Sequence, residues 1–300
     1  MNHLSRSLYW FASRILLVLI LLISTHTQTK HLIFDLTYTL IEPSKTSVAA
    51  HLGSIDCSAF WLKHGSKCHS LLNDTLIKVL GHNETNNTKK NQTTASNACK
   101  ETGLVPCDAS GKPMPRLMCE WLKGTRTCKL ICSDSLAKCK EYPSFLDKRH
   151  KRITTRMIEW MFNPRHFAHS MTIMPSASRI VRECISAKDK TGKPKHTLYI
   201  LSNMDPESYE YLKKARHLSP LFRQFDPKNI IISGHIKDLK PRRSIFKTLL
   251  EKYKLDPKEC ILFDDQAENR QAAQLLGITP FEFTHNYTKD RKKLKKMGVL

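Results

Sequence analysis

The sequence has no Cys-x-x-Cys pair, no His-Glu-x-x-His helix, no Gly-x-Ser-x-Gly elbow and no glycine-rich phosphate loop. Those absences exclude zinc-ribbon, zincin, serine-elbow hydrolase and P-loop readings. No internal repeat is evident. No unbroken apolar run reaches the roughly 20 residues that cross a bilayer unaided. Acidic residues are also in short supply, 27 Asp+Glu against 49 Lys+Arg, for a formal charge of +22. That balance favours anionic partners: phosphorylated small molecules or other anionic substrates, a membrane surface, or nucleic acid. For nucleic acid only the net charge and the basic tail, residues 289–296, speak, since no aromatic-interleaved or zinc-finger pattern accompanies them.

What is present begins with a leader. Arg6 and Arg14 precede an apolar run at residues 15–23, after which Ser24, Thr25 and His26 turn the chain polar. This is the anatomy of a signal peptide over residues 1–28, or of an N-terminal anchor if residues 8–12 extend the run. The expected location is therefore exported, periplasmic or secreted, with membrane anchoring as the alternative. Eight of the ten cysteines, Cys57, Cys68, Cys99, Cys107, Cys119, Cys128, Cys132 and Cys139, crowd one segment. In an exported chain such an even set predicts disulfides. Cys184 and Cys260 stand apart in apolar surroundings and read as small buried hydrophobes. Asn73, Asn83, Asn86, Asn91 and Asn286 lie in Asn-x-Ser/Thr context, the acceptor pattern for glycosylation in a eukaryotic secretory pathway.

Four short apolar runs share a pattern. Residues 32–34 end at Asp35, 198–201 at Ser202, 230–232 at Ser233 and 261–263 at Asp264. Each reads as a buried strand with a polar residue at its carboxyl end. Helix patterns at 177–188, 206–216 (Asp205 as N-cap), 241–254 and 267–276 alternate with them, and 278–283 reads as a fifth strand. The expected fold is α/β, a doubly wound, Rossmann-like parallel sheet. More than a hundred residues between the first two strands are too many for a crossover, so a folded, mainly helical and disulfide-rich cap is expected there. The predicted division is a core of 29–44 plus 172–300 and a cap of 45–171, cysteine-rich from 57 to 139.

Parallel sheets bind ligands beyond the carboxyl ends of their strands, so Asp35, Ser202 and Asp264 can share one crevice. A carboxylate at Asp35 can attack phosphorus once a cation lowers the repulsion between two anions. Mg²⁺ suits that task, being hard, oxygen-seeking and content with one or two protein carboxylates such as Asp35 and Asp264, with Asp265 beside them. Ser202 can hydrogen-bond a phosphate oxygen, and Lys240 adds a compensating charge.

The segments at 34–40, 201–203, Ser233-Gly234 with Lys240-Pro241, and 263–265 with Asn269 occur in order, and together they resemble the four motifs of the haloacid dehalogenase superfamily. The resemblance implies Asp35 as nucleophile, Thr37 as a backbone-carbonyl metal contact, and Asp264 and Asp265 as metal acids. It further implies Thr39, Ser202, Asn203 and Lys240 as substrate or phosphate binders. Phosphatases of that superfamily carry a second aspartate where Thr37 stands, and that aspartate protonates the leaving group. They also have glycine where Tyr38 stands. The expected activity is a Mg²⁺-dependent phosphohydrolase or phosphoryl-transfer enzyme acting through an aspartyl-phosphate. A weak or inactive binding or regulatory protein on the same scaffold is the alternative, and a metal-free dehalogenase a third.

Overall fold

The computed structural model describes residues 30–64, 67–81 and 114–300, so the leader and two of the clustered cysteines, Cys99 and Cys107, lie outside the described residues. Among the described residues no helix is long and apolar enough to cross a membrane. The strands are β1 (Lys30–Phe34), β2 (Ile41–Pro43), β3 (Met171–Ile173), β4 (His196–Ser202), β5 (Ile230–Ile232), β6 (Cys260–Asp264) and β7 (Thr279–Glu282). Five of them pair in parallel in the order β5–β4–β1–β6–β7. The expected doubly wound sheet is therefore present, with β1 at its centre.

Among the described residues seven helices lie between β2 and β3: α1 (Lys45–Leu52), α2 (Ser54–His64), α3 (Cys68–Leu80), α4 (Arg116–Leu122), α5 (Cys128–Glu141), α6 (Lys148–Met161) and α7 (Pro164–Ser170). The core continues with α8 (Pro175–Ser186), α9 (Pro206–Lys214), α10 (Ser219–Phe222), α11 (Ser233–Ile236), α12 (Arg243–Tyr253), α13 (Ala267–Gln274) and α14 (Tyr287–Lys296).

Alternation along the strands explains how both sheet faces are covered. Leu32, Phe34, Ile200 and Phe263 point to the face that packs on Ile180 and Val181 of α8 and Leu294 of α14. Ile33, Leu201 and Leu262 point to the other, onto Phe246 and Leu249 of α12 and Ala273 of α13. Each such side chain contributes about 1.5–3 kcal/mol on burial, and a one-residue slip would exchange the two faces, so the register is strongly determined. Cys184 and Cys260 are buried thiols in these layers. The helix expected from Pro241 begins later, at Arg243, because Arg242 first closes a turn onto the Leu239 carbonyl at 2.9 Å.

Among the described residues the inserted helices meet the core most broadly where α7 packs on α9, with Phe167 and Ala168 in one apolar cluster with Tyr209 and Leu212. Two hydrogen-bonded ties add to this. The first is an antiparallel ribbon of β2 and β3, reinforced where the Ser44 amide donates to the Ser170 carbonyl at 2.7 Å. The second joins the α4–α5 turn to α9 and α11. The Cys128 amide donates to Glu207 Oε1 at 2.9 Å, the Ser233 hydroxyl to the Leu122 carbonyl at 2.7 Å, and Lys237 Nζ to the Gly124 carbonyl at 2.7 Å. Gly124, at φ +57°, has no room for a Cβ, which would meet Pro206 at 2.8 Å. Within the insertion α6 is the hub, packing against α1, α2, α3, α5 and α7 through an apolar stripe that includes Ile153 and Ile158.

The disulfide framework expected of the insertion is not found at Cys128, Cys132 and Cys139, which are thiols. Two of them have polar partners and the third packs on the apolar cluster of the insertion: Cys128 Sγ donates to Asp205 Oδ1 at 3.2 Å and accepts from Trp121 Nε1 at 3.3 Å, Cys139 Sγ lies 3.5 Å from Thr155 Oγ1, and Cys132 lies against Ile131 and its neighbours. An even cysteine count does not dictate pairing once thiols are taken into a helical core as small hydrophobes.

Candidate active site

The carboxyl ends of β1, β4 and β6 deliver Asp35, Ser202 and Asp264 to one crevice, and the loop before α12 brings Lys240 across to them. Lys240 Nζ donates to Asp35 Oδ1 and to Asp264 Oδ2, each at 2.7 Å, with all three side chains buried. The Lys240 backbone is fixed in turn by Asn203: its Oδ1 accepts from the Lys240 amide at 2.9 Å and its Nδ2 donates to the Lys240 carbonyl at 2.8 Å. Asn203 thus reaches the site through the lysine, with both ends of its amide engaged.

Asp264 is immobilised more fully. Asn269 Nδ2 reaches both its oxygens at 3.0 Å, and the Gln266 amide donates to Oδ1 at 2.9 Å. Arg270, which sequence reasoning did not single out, donates from Nη1 to the Asp264 and Asp265 carbonyls at 2.9 and 2.7 Å. A basic residue one helical turn into α13 is its only signal in the chain.

The loop after Asp35 is a tight turn. The Leu40 and Ile41 amides both donate to the Leu36 carbonyl, and the Tyr38 amide donates to the Ile41 carbonyl at 2.6 Å. Thr37 forms an isolated bridge with Ile41. Tyr38 adopts φ +62°, the left-handed conformation that favours glycine, with its side chain half exposed. Its phenol is pushed above the usual range by burial and by the negative charges of Asp265 and Glu42.

Carboxylate oxygens of Asp35, Asp264 and Asp265 lie within 4.8 Å of one another. Burial, with the charges of Asp264 and Asp265, lifts Asp35 to about 7 even though Lys240 pulls it down. Asp265 is raised by burial and by Asp264. Burial by itself would favour neutral Lys240, but the two carboxylates outweigh it and raise the ammonium. When ionised, three carboxylates face one ammonium, a surplus of two negative charges. Among the described residues, three buried oxygens have no hydrogen-bond partner: Ser202 Oγ at the end of β4, Thr39 Oγ1 in the turn after Asp35, and Asp265 Oδ1 beside Asp264. An all-oxygen donor set with surplus negative charge and an unpartnered carboxylate oxygen fits a hard divalent cation such as Mg²⁺.

The model of the haloacid dehalogenase-like hydrolase family matches residues 29–277. A comparison with curated proteins gives no match. Among solved structures, a haloacid dehalogenase family enzyme of Bacteroides thetaiotaomicron, complexed with magnesium and inorganic phosphate, is 16% identical, with a TM-score of 0.45 over 86% of this chain and 95% of that one. A predicted haloacid dehalogenase-like family hydrolase of Porphyromonas gingivalis is 14% identical, with a TM-score of 0.46 over 90% and 98%. An L-2-haloacid dehalogenase is 13% identical, with a TM-score of 0.45 over 86% and 87%. With the family model spanning β1, β4, β5 and β6 and every one of these site residues, the chain belongs to the haloacid dehalogenase-like hydrolases.

Proposed function

We propose that this chain is a Mg²⁺-dependent phosphohydrolase or phosphoryl-transfer enzyme that works through an aspartyl-phosphate on Asp35. The observation that carries the reading is the pairing of a lysine shared by two buried carboxylates with the unpartnered hydroxyls of Ser202, at the neighbouring strand end, and Thr39, in the turn after Asp35. Hydroxyl donors beside a buried ammonium suit the oxygens of a phosphoryl group, and in a buried site they act at full strength.

In this reading Lys240 holds one oxygen of Asp35, and the second oxygen attacks phosphorus. The bond from phosphorus to the leaving oxygen breaks, and the leaving group departs with the electron pair. Water then attacks the aspartyl-phosphate and regenerates the carboxylate. Asp35, Asp264 and Asp265, with the Thr37 carbonyl, would hold Mg²⁺, which supplies charge neutralisation between nucleophile and phosphate. Ser202 and Thr39 would orient the phosphoryl oxygens, and Asn203 would position Lys240.

Thr37 has no acidic proton to give a departing alkoxide. Acyl and aryl phosphates, whose leaving groups depart without protonation, are therefore the preferred substrates. Phosphate release from such a compound is expected only with Mg²⁺, and D35N is expected to abolish it. Equal release by D35N would refute the proposal.

A second reading, a binding protein on the same scaffold, draws on Tyr38, whose half-exposed ring stands in a strained turn directly after the nucleophile position. It predicts Mg²⁺ or phosphate binding without turnover, and any Mg²⁺-dependent turnover above the D35N background removes it. The dehalogenase reading leaves the three-carboxylate cluster without a role, and halide release in the absence of Mg²⁺ would restore it.

A further inference from the structure

The sheet has two functionally distinct edges. Its carboxyl edge carries the crevice, whereas its amino edge, together with the flank along which α14 runs back to that edge, gathers cations that the crevice chemistry does not use. Lys188, Lys190 and Lys193 are exposed on the turn between α8 and β4. Lys195 Nζ donates to the Gly298 carbonyl at 2.7 Å, and His196 Nε2 to the Val299 carbonyl at 2.8 Å, so this turn and the end of α14 form one surface. The outer face of α14 presents Lys289, Lys292, Lys293, Lys295 and Lys296 to solvent, while its buried side carries Leu294 and Asp290. A groove of about 350 Å³ runs along it, lined by Tyr287, Thr288, Arg291, Lys292 and Lys295. On the far side of Tyr287, Arg179 stacks on the ring at 3.8 Å and Glu183 accepts from both the Tyr287 hydroxyl and Arg291. These contacts hold the helix rigidly.

His196 pairs in register with Lys30, so the first residue of β1 sits inside this basic surface. The apolar run of the sequence ends at Ile23, with only residues 24–29 between it and Lys30. At no more than about 3.6 Å per residue, those links keep the end of the run within about 25 Å of the surface.

We infer that the amino-edge surface formed by α14 and the α8–β4 turn is a docking face for an anionic phospholipid bilayer. The choice of lipid over other polyanions rests on continuity in the chain that keeps its N-terminal segment as an anchor: there the most apolar segment leads into the fold in the midst of these lysines. An apolar segment beside a polybasic face is the pairing that holds a protein flat on an anionic membrane, where either signal alone is marginal. The crevice lies a strand length away, about 15 Å, on the opposite edge. Docking in this way leaves it open to soluble substrates.

The test measures partition of the full chain onto vesicles of phosphatidylcholine alone and onto vesicles with roughly one third phosphatidylglycerol. The leader supports some binding to both. The inference requires an added preference for the anionic vesicles at about 0.1 M salt that disappears at about 1 M. Each lysine at a charged surface contributes about fivefold, so K292Q/K295Q/K296Q should lose about 100-fold of that preference while keeping its melting temperature and its phosphate release. K129Q/K140Q, on the insertion, should keep the preference. Equal partition onto both vesicle types overturns the inference. So does an undiminished preference in the triple variant, an equal loss in the insertion variant, or capture of duplex nucleic acid by these lysines with no effect of lipid composition.

Discussion

Thr37 and Tyr38, adjacent in the tight turn after Asp35, bear on activity in different ways. Thr37 lacks the proton that an alkyl leaving group needs, and a missing general acid typically lowers rate by about 10²–10⁴. T37D is therefore expected to raise kcat on alkyl phosphates by one or more orders of magnitude and to change aryl phosphates little, as read by parallel kinetics on the two classes. Tyr38 at φ +62° bears about 1–2 kcal/mol of left-handed strain, whereas glycine there would add about 0.5–1 kcal/mol of unfolded-state entropy. The two nearly cancel. Y38G should shift stability by less than about 1 kcal/mol in chemical denaturation and lower KM for bulky substrates more than for small ones. An equal change for both sizes would show that the ring does not guard the entrance. At this scale the sequence was legible where chemistry demands a residue type at a strand end, as for Asp35, Ser202, Lys240 and Asp264. It was illegible for Arg270, and for the tie by which Asn203, read from the sequence as a phosphate binder, grips the Lys240 backbone, because both depend on how separate segments are brought together.

Among the elements, α9 shows how a local signal acquires a second use. Asp205 was readable as its N-cap, and it accepts from the Ser208 amide at 2.9 Å. The same carboxylate oxygen also receives the Cys128 thiol of α5, which no local pattern announces. D205A should lower stability by about 1–2 kcal/mol in urea unfolding, and D205N, which keeps the accepting oxygen, by clearly less. The five core strands were legible because each is an apolar run closed by a polar residue. β2 and β3 were not, since three residues apiece, one of them Pro43, carry no periodicity. The cysteine cluster misled at Cys128, Cys132 and Cys139 because composition reports a compartment, whereas pairing depends on which side chains face each other.

For the molecule as a whole, the buried His150 and His196 and the part-buried His31 contribute to the response to acid. Burial lowers the pKa of His31, His150 and His196, for His31 and His150 against the pull of a nearby carboxylate. Their neutral forms are thus favoured in the folded state. The stability they contribute is complete above the unfolded value of about 6.5 and is lost as pH falls below it. Asp35 acts with the opposite sign, because its raised folded value makes the metal-free protein bind a proton more readily than the unfolded chain does. A comparison that cancels Asp35 is therefore needed. H196Q, which retains a donor for the Val299 carbonyl, should show a shallower fall in melting temperature from pH 7 to pH 5 than the unaltered chain. Parallel slopes would mean that His196 takes no part.

The attachments of the inserted helices also constrain motion. A body held at one point can tumble about it, but each added hold removes freedom, as a door bolted beside its hinges no longer swings. Here the β2–β3 ribbon, the α4–α5 turn and the face of α7 on α9 all hold the insertion to the core. Any opening of the insertion must therefore release one of these holds first, and a substrate must enter where the released hold gives way.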